Sequence, residues 1–448
     1  MSTNPAANID HESGQKLPPD RMALLFMVML VTAAGNTAMQ SVMPAIGTRL
    51  QVADFWVSLA YSWSALLWML CAPRWARQSD KRGRKALMNL GLIGFILSFA
   101  LCGLTLMAGL NGWLSGVWTL LIFALFRSLY GGLGSAGPPA VQAYVAARTS
   151  RAERTQSLSI ISSSFGLGTV IGPAIAPLII LPMLGLPSPF FIFAAFGALV
   201  VIILKLRLPD DTPTYAARGR LVAEPMSSGS AGEVYVADDN DEEPRSNEDA
   251  LPARLSWRDP RLRPWLITGL VGGHANAIIL GLVGFMLLDR LDLRATPELA
   301  AGPTGLVLMS GAFATLLAQW GLIPYLKLGP RNSTLWGMAL AVVGVTMVGF
   351  SYSLHAITLG FAIASLGFGL FRPGFTAGSS LAVTRAEQGQ VAGIVASVNG
   401  AAYIIAPAIG VWLYNIAPVE AFAIIIGLCI FVLVWGRKAL QLDEKLIG

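Results

Sequence analysis

Residues 151–175 read RAERTQSLSIISSSFGLGTVIGPAI, and residues 385–409 read RAEQGQVAGIVASVNGAAYIIAPAI. The two stretches align without a gap, 234 positions apart. Arg151, Ala152, Glu153 and Gln156 match Arg385, Ala386, Glu387 and Gln390. Farther along, Ile160, Ser163, Gly166, Ile171, Pro173, Ala174 and Ile175 match Ile394, Ser397, Gly400, Ile405, Pro407, Ala408 and Ile409. Apolar helices share aliphatic residues by chance, but rarely charges and a proline in register. Upstream, Leu125-Phe126-Arg127 recurs as Leu370-Phe371-Arg372. The chain therefore reads as two repeated halves.

Around these repeats the sequence is too apolar for water. Of 448 residues, 54% are hydrophobic and 12% charged, where a soluble chain carries about 25% charged residues. A soluble protein of this size lacks the interior to hide so much apolar surface, so the excess must face lipid. That excludes a soluble enzyme, a secreted disulfide scaffold and a nucleic-acid binder. Cys71, Cys102 and Cys429 lie far apart in apolar runs, without metal-ligand spacing, and read as small core residues. The sequence holds no Walker loop, no metal-spaced His/Cys cluster and no nucleophile constellation. No cofactor, no metal and no enzymatic reaction is expected, and any drive should be an ion gradient.

A membrane-crossing helix needs about 20 mostly apolar residues. Such runs fall at 22–45, 55–76, 86–109, 116–138, 157–178 and 188–206. A second set falls at 264–288, 303–325, 334–354, 357–382, 391–413 and 418–437. The expected fold is an all-α membrane protein with twelve transmembrane helices in two pseudo-symmetric six-helix bundles, 22–206 and 264–437. An even number of spans separates the repeats, so the halves run parallel, which is the architecture of one kind of secondary transporter.

Tails 1–21 and 438–448 and the connection 207–263 then share one side of the bilayer. The connection carries Pro, Gly and Ser and the acidic run Asp238 to Asp249, without apolar periodicity. It reads as a loosely held tether, whose end, 251–263, is a candidate short interfacial helix with Trp257 at headgroup level. Segments on the opposite side hold only Arg49, Arg290 and Arg294 as cations, while the cluster from Arg74 to Lys85 lies on the tail side. The positive-inside rule places both termini in the cytoplasm. The first apolar run is too long for a signal-peptide core and lacks a clear cleavage site, so it is expected to be retained. The composition fits a bacterial inner membrane.

The loop after the second run reads Ala76-Arg77-Gln78-Ser79-Asp80-Lys81-Arg82-Gly83-Arg84-Lys85. It resembles the G-x-L-x-D-R-x-G-R-K signature of the major facilitator superfamily. Asp80, Gly83, Arg84 and Lys85 match, Lys81 replaces Arg, and Ala76 and Gln78 replace the Gly and Leu. Arg127-Ser128-Leu129-Tyr130-Gly131 is similar to that family's R-x-x-Q-G motif, with Tyr for Gln. Gly168-x-x-x-Gly172-Pro173-x-x-Ala176 resembles the G-x-x-x-G-P-x-x-G motif of its proton-antiporter branches, with Ala for the last Gly. Gly329-Pro330-Arg331 is a degenerate echo of the first loop without its Asp. The resemblance covers nearly the whole chain and looks most like the drug-efflux, tetracycline-exporter-like branches. It implies alternating access by two rocking bundles, a conformational latch at Asp80, Gly83, Arg84 and Lys85, a small-molecule substrate, protons as coupling ion, and a monomer in the bilayer.

Charges inside a bilayer are costly and usually functional. Within the expected spans Arg127, Arg372 and His274 lie near the midplane, and no Asp or Glu lies deep. Asp54 and Asp289 sit at outer ends, and Asp80 at an inner one. Many proton-coupled exporters of the family use a buried carboxylate, often on the first helix; here Asn36 and Gln40 stand there instead. Three readings of the Arg pair remain open. They bind an anionic substrate, or they bond backbone carbonyls freed by Gly and Pro, or Arg127 tunes a nearby proton site, as the resemblance implies.

An imidazole can change charge near neutral pH, so His274 is read as either a proton carrier or a hydrogen-bonded packing group. Asn36 and Gln40, one turn apart on one face, join Tyr130 and Asn276 as candidate substrate contacts. Trp63, Trp68, Tyr403 and Met39 suit an apolar substrate or the core. The expected function is secondary active transport, in the form of proton-coupled efflux of small amphipathic compounds. The alternative is organic-anion (carboxylate) transport with Arg127 and Arg372 as the clamp. A receptor signalling through the acidic connection is the reading from a different class.

Overall fold

The computed structural model describes residues 17–149, 151–209, 255–384 and 387–444, with backbone only at 76–77, 79–81, 146–147, 151–156, 159, 388–389 and 392. The acidic run and most of the tether lie outside the described residues. The first half comprises α1 (Pro19–Arg49), α2 (Asp54–Arg82), α3 (Arg84–Leu110), α4 (Gly116–Gly132), α5 (Gly137–Arg148), α6 (Arg151–Ile175) and α7 (Ser188–Arg207). The second comprises α8 (Arg263–Arg290), α9 (Ala301–Leu316), α10 (Ile323–Leu326), α11 (Pro330–Phe350), α12 (Leu354–Leu381), α13 (Gln388–Ile416) and α14 (Pro418–Ala439). No strand occurs among the described residues. Among the described residues, twelve helical stretches are long and apolar enough to cross a membrane, as the sequence leads one to expect. Large apolar side chains such as Leu125, Phe313, Trp336 and Val434 point outward, where lipid accepts them.

Two stretches are composite. The fourth, Gly116–Val145, joins α4 to α5 through a 3-10 turn at Gly134–Ala136. Gly131, Gly132 and Gly134 hold the helix weakly here, and Pro138 and Pro139 can only follow a fresh helix start. The carbonyl of Gly132, freed by the break, accepts from Trp75 Nε1 at 2.6 Å and Ser135 Oγ at 2.9 Å. Backbone at membrane depth needs that satisfaction. The eighth, Pro297–Leu326, contains a π-helical turn at Leu317–Leu322 before α10. Pro324 has no N–H to donate one turn back, and the wider turn accommodates its ring.

Helices within each half meet where glycines remove side chains. A Cβ on Gly367 would stand 2.4 Å from the Gly337 carbonyl oxygen, so α11 and α12 touch backbone to backbone. The halves meet along α2 against α13, α6 against α9, and α1 against α8 and α9. The face where residues 209 and 255 lie is called the linker face below, and the opposite one the far face.

The candidate interfacial helix at 251–263 is corrected: its described part, 255–262, is a run of turns. The Asp259 carboxylate accepts from the Arg261 backbone N–H at 2.9 Å and from its guanidinium, a local bond that competes with helix. The same guanidinium binds Glu387 at 2.8 and 3.0 Å, and the Leu255 N–H donates to Gln390 Oε1 at 2.7 Å. Glu387 and Gln390, two of the residues shared between the repeats, thus anchor the end of the connection to the start of α13. Bonds from Arg261 and then from Thr384 hold the Glu387 carboxyl down to about 2. A depressed acid contributes stability above its unfolded value and loses it as pH falls toward the folded one. The anchor should therefore be insensitive to pH between 5 and 8 and weaken only below the ordinary carboxylate range. Glu387→Gln should speed hydrogen exchange at the Leu255 amide throughout that window, and unchanged exchange would show that the ion pair does not dock this segment.

Candidate functional site

Each half sets an arginine near a tyrosine, with an amide bonded to one of the two. In the first half Arg127, on α4, is 2% exposed. Its Nη2 donates to Asn36 Oδ1 on α1. The guanidinium carbon lies 4.3 Å from the Tyr130 ring centroid and 5.6 Å from that of Phe99. Trp68 and Phe95 pack around Tyr130 and close the aromatic shell. Nε and Nη1 of Arg127 have no hydrogen-bond partner, and no carboxylate among the described residues pairs with it. Ring faces attract a cation but do not replace a counter-ion.

In the second half Asn276, on α8, donates from Nδ2 to Tyr403 Oη on α13 at 2.9 Å. Arg372, on α12, is half-buried and acts electrostatically on Tyr403. His274 Nδ1 lies 2.7 Å from the Leu270 carbonyl one turn earlier. The Nδ1–H tautomer donates that bond and leaves Nε2 as the acceptor.

A partly open space lies between the halves. Gln40 and Pro44 of α1, Ser58 and Tyr61 of α2, Gly281 and Gly284 of α8, Leu308 of α9, and Tyr403 and Pro407 of α13 line it. Its polar groups are neutral: two phenols, one amide and one hydroxyl. Apolar walls with a few placed polar groups are the common pattern of small-ligand sites.

Of the residues singled out in the sequence, Gln40 and Tyr403 line this space and Asn276 reaches it through Tyr403. Asn36, Arg127 and Tyr130 form the sealed cluster described above. Trp63 is exposed and donates from Nε1 to Ser128 Oγ at 2.7 Å, tying α2 to α4. Met39 is buried, and its carbonyl accepts from the Tyr61 hydroxyl at 3.4 Å. Ser58 and Tyr61 escaped the sequence reading. Their signal was nonetheless visible, because Asp54, Ser58 and Tyr61 recur at i, i+4 and i+7 as a polar stripe in an apolar run.

Gly168 and Gly172 press on α1: added Cβ atoms would stand 2.6 Å from the Leu30 carbonyl oxygen and 2.2 Å from that of Ala34. The Pro173 carbonyl faces Gly305 of α9 across the seam, 2.5 Å from where a Cβ would sit. At the basic loop Gly83 has φ +84°, a turn that favours glycine. Arg84 is buried, and Lys85 Nζ donates to the Lys205 carbonyl at 3.3 Å near the end of α7. The acid of the expected latch, Asp80, has its side chain outside the described residues.

Residues 25–323 match the family model described as Major Facilitator Superfamily. Multidrug resistance protein MdtG of Proteus mirabilis (strain HI4320) is 31% identical over 203 residues, 44% of this chain and 47% of that protein. Tetracycline resistance protein, class H, of Pasteurella multocida is 26% identical over 194 residues, 42% of this chain and 44% of that protein. The chain thus spans less than half the length of these curated relatives. The crystal structure of a bacterial homolog to the human lysosomal transporter Spinster, inward-facing and unoccupied, superposes with a TM-score of 0.68. It shares 15% identity and covers 94% of this chain and 96% of that one. At that identity the likeness shows the fold alone.

Proposed function

Because this chain belongs to the Major Facilitator Superfamily, and is accordingly a multi-pass membrane transporter rather than an enzyme, we propose that it exports small amphipathic compounds in exchange for protons. The observation that carries this reading is the uncharged lining of the space between the halves. Gln40, Ser58, Tyr61 and Tyr403 offer hydrogen bonds amid apolar walls, which suits a molecule with a neutral or weakly polar body. The names of the relatives, multidrug and tetracycline resistance proteins, point the same way.

In this reading the linker face meets the cytoplasm, as the Lys and Arg distribution favours. Substrate enters from that side, and the bundles then rock about the α2–α13 and α6–α9 seams to expose it to the far face. His274 is the proton carrier of choice, since its ring is already oriented by Leu270 and keeps one nitrogen open. Arginine holds its proton and cannot serve.

Everted vesicles with an imposed proton gradient and a pH-sensitive dye test the proposal. Lipophilic cations and neutral amphiphiles should discharge the gradient, and His274→Asn should abolish that response. Discharge by carboxylates alone would replace this reading with organic-anion transport through Arg127 and Arg372. Silence toward all three classes would remove the proton from the account.

A further inference from the structure

The far face carries an ion cluster that joins the two halves. Arg294, in the loop after α8, donates from Nη1 and Nη2 to the two carboxylate oxygens of Asp54 at 3.0 and 2.6 Å. Its Nε and Nη2 also bond Asp289, at the end of α8, at 2.6 and 3.2 Å. Asp54 is the first residue of α2 and is 3% exposed. Asp289 and Arg294 belong to one half and Asp54 to the other, so the guanidinium is positioned by its own half and reaches across the seam. Arg49 and Glu298 form a second bridge across the same seam at 3.5 Å, but both are half-exposed, where ion pairs contribute little. Both inter-half ion pairs among the described residues lie on the far face.

The cluster sits directly over the central space. Ser58, one turn after Asp54, and Tyr61 line that space, as do Gly281, Gly284 and Phe285 of α8, which carries Asp289 in its last turn. Beneath it a Cβ on Gly284 would stand 2.5 Å from Pro44 Cγ, so α1 and α8 also meet closely there. A two-pronged carboxylate–guanidinium pair is among the stronger polar contacts. Asp54 is the buried end of this pair and Arg294 the partly exposed one, so removing Arg294 leaves the Asp54 carboxylate buried and uncompensated. Opening toward the far face must separate α2 from the α8 end, and hence Asp54 from Arg294.

We infer that Asp54 and Arg294, with Asp289 as the residue that positions the guanidinium, form the far-face gate of the transport cycle. Breaking the Asp54–Arg294 fork is then the step that admits the outward-open state. This rests on the reading of the chain as an alternating-access transporter, but its test needs neither substrate nor flux.

Ser58 is 2% exposed, so a thiol there reports opening. In a Cys71→Ser background the two remaining cysteines are buried. A membrane-impermeant maleimide applied to Ser58→Cys in intact cells and in everted vesicles identifies the side from which the thiol is reached. Adding Asp54→Asn or Arg294→Gln should raise labelling from the far-face side about tenfold or more, as expected for losing a charged hydrogen-bond pair. Asp289→Asn should raise it less, and Asp54→Glu should keep it low.

A second readout guards against misfolded variants. Spin labels at Trp113 and His355, exposed far-face positions on opposite halves, should move apart in Asp54→Asn and Arg294→Gln. Unchanged labelling together with an unchanged distance in both variants would overturn the gate, whatever the vesicle assay says about protons or substrate.

Discussion

Gly172→Val is expected to prevent the first half from assembling. The added Cβ would lie 2.2 Å from the Ala34 carbonyl oxygen and 2.3 Å from Thr37 Oγ1. Backbone of α1 cannot step aside as a flexible side chain would. One turn earlier Gly168 presses on the Leu30 carbonyl, and its own carbonyl accepts from Thr37 Oγ1 at 3.4 Å, so α6 has no room to shift in either direction. Overpacking typically costs about 1–3 kcal/mol, and a contact limited by backbone belongs at or above the top of that range. Helices in lipid associate through such close packing rather than through hydrophobic drive, so nothing offsets the loss. The measurement is thermal unfolding in mild detergent. A fall of about 10 °C or more, or no monodisperse protein, is the expected result. Gly427→Ala is the control, since nothing lies within 4 Å of a Cβ there. It should change stability by no more than about 0.5 kcal/mol. Equal melting of the two variants would show that the α1–α6 contact is not what this motif maintains.

The twelve spans were legible because length and apolar content are local properties that a bilayer selects strongly. The breaks in the fourth and eighth stretches were legible only in part. Gly132, Gly134 and Pro138 mark the first, but nothing in Leu317–Leu322 besides the coming Pro324 announces a π turn. Pairings across the chain left no local trace. Asp54, Asp289 and Arg294 were each visible as rare far-face charges, yet 240 residues separate Asp54 from Arg294 and no periodicity connects them. Asn36 and Arg127 were both candidates, but that they pair follows only from the Arg127 side chain of α4 reaching across to α1. The cavity was legible where a residue broke an apolar run with an amide, as Gln40 does. Tyr61 and Pro407 join it only because two helices from different halves converge.

Arg127 should separate stability from transport. Arg127→Met removes a buried charge that no carboxylate among the described residues pairs with, and keeps a long side chain against Phe99 and Tyr130. Apolar replacement of buried ionic groups is often neutral or stabilising, so its melting point should hold or rise while gradient discharge is lost. Arg127→Lys keeps the formal charge but lacks the planar fork that serves Asn36 and lies over Tyr130. A buried ammonium also sheds its proton more readily than a guanidinium. It should therefore lose discharge about tenfold or more, the loss of one charged hydrogen bond, without the Met variant's stability. Asn36→Asp supplies the counter-ion that the cluster lacks, and it should raise the melting point of the native chain but not of Arg127→Met. A purely structural Arg127 would instead lower melting and discharge together in both Arg127 variants. Full discharge in Arg127→Met would show that transport makes no use of the charge. The two quantities diverge only if the protein tolerates an unpaired cation in its interior for the sake of the transport cycle.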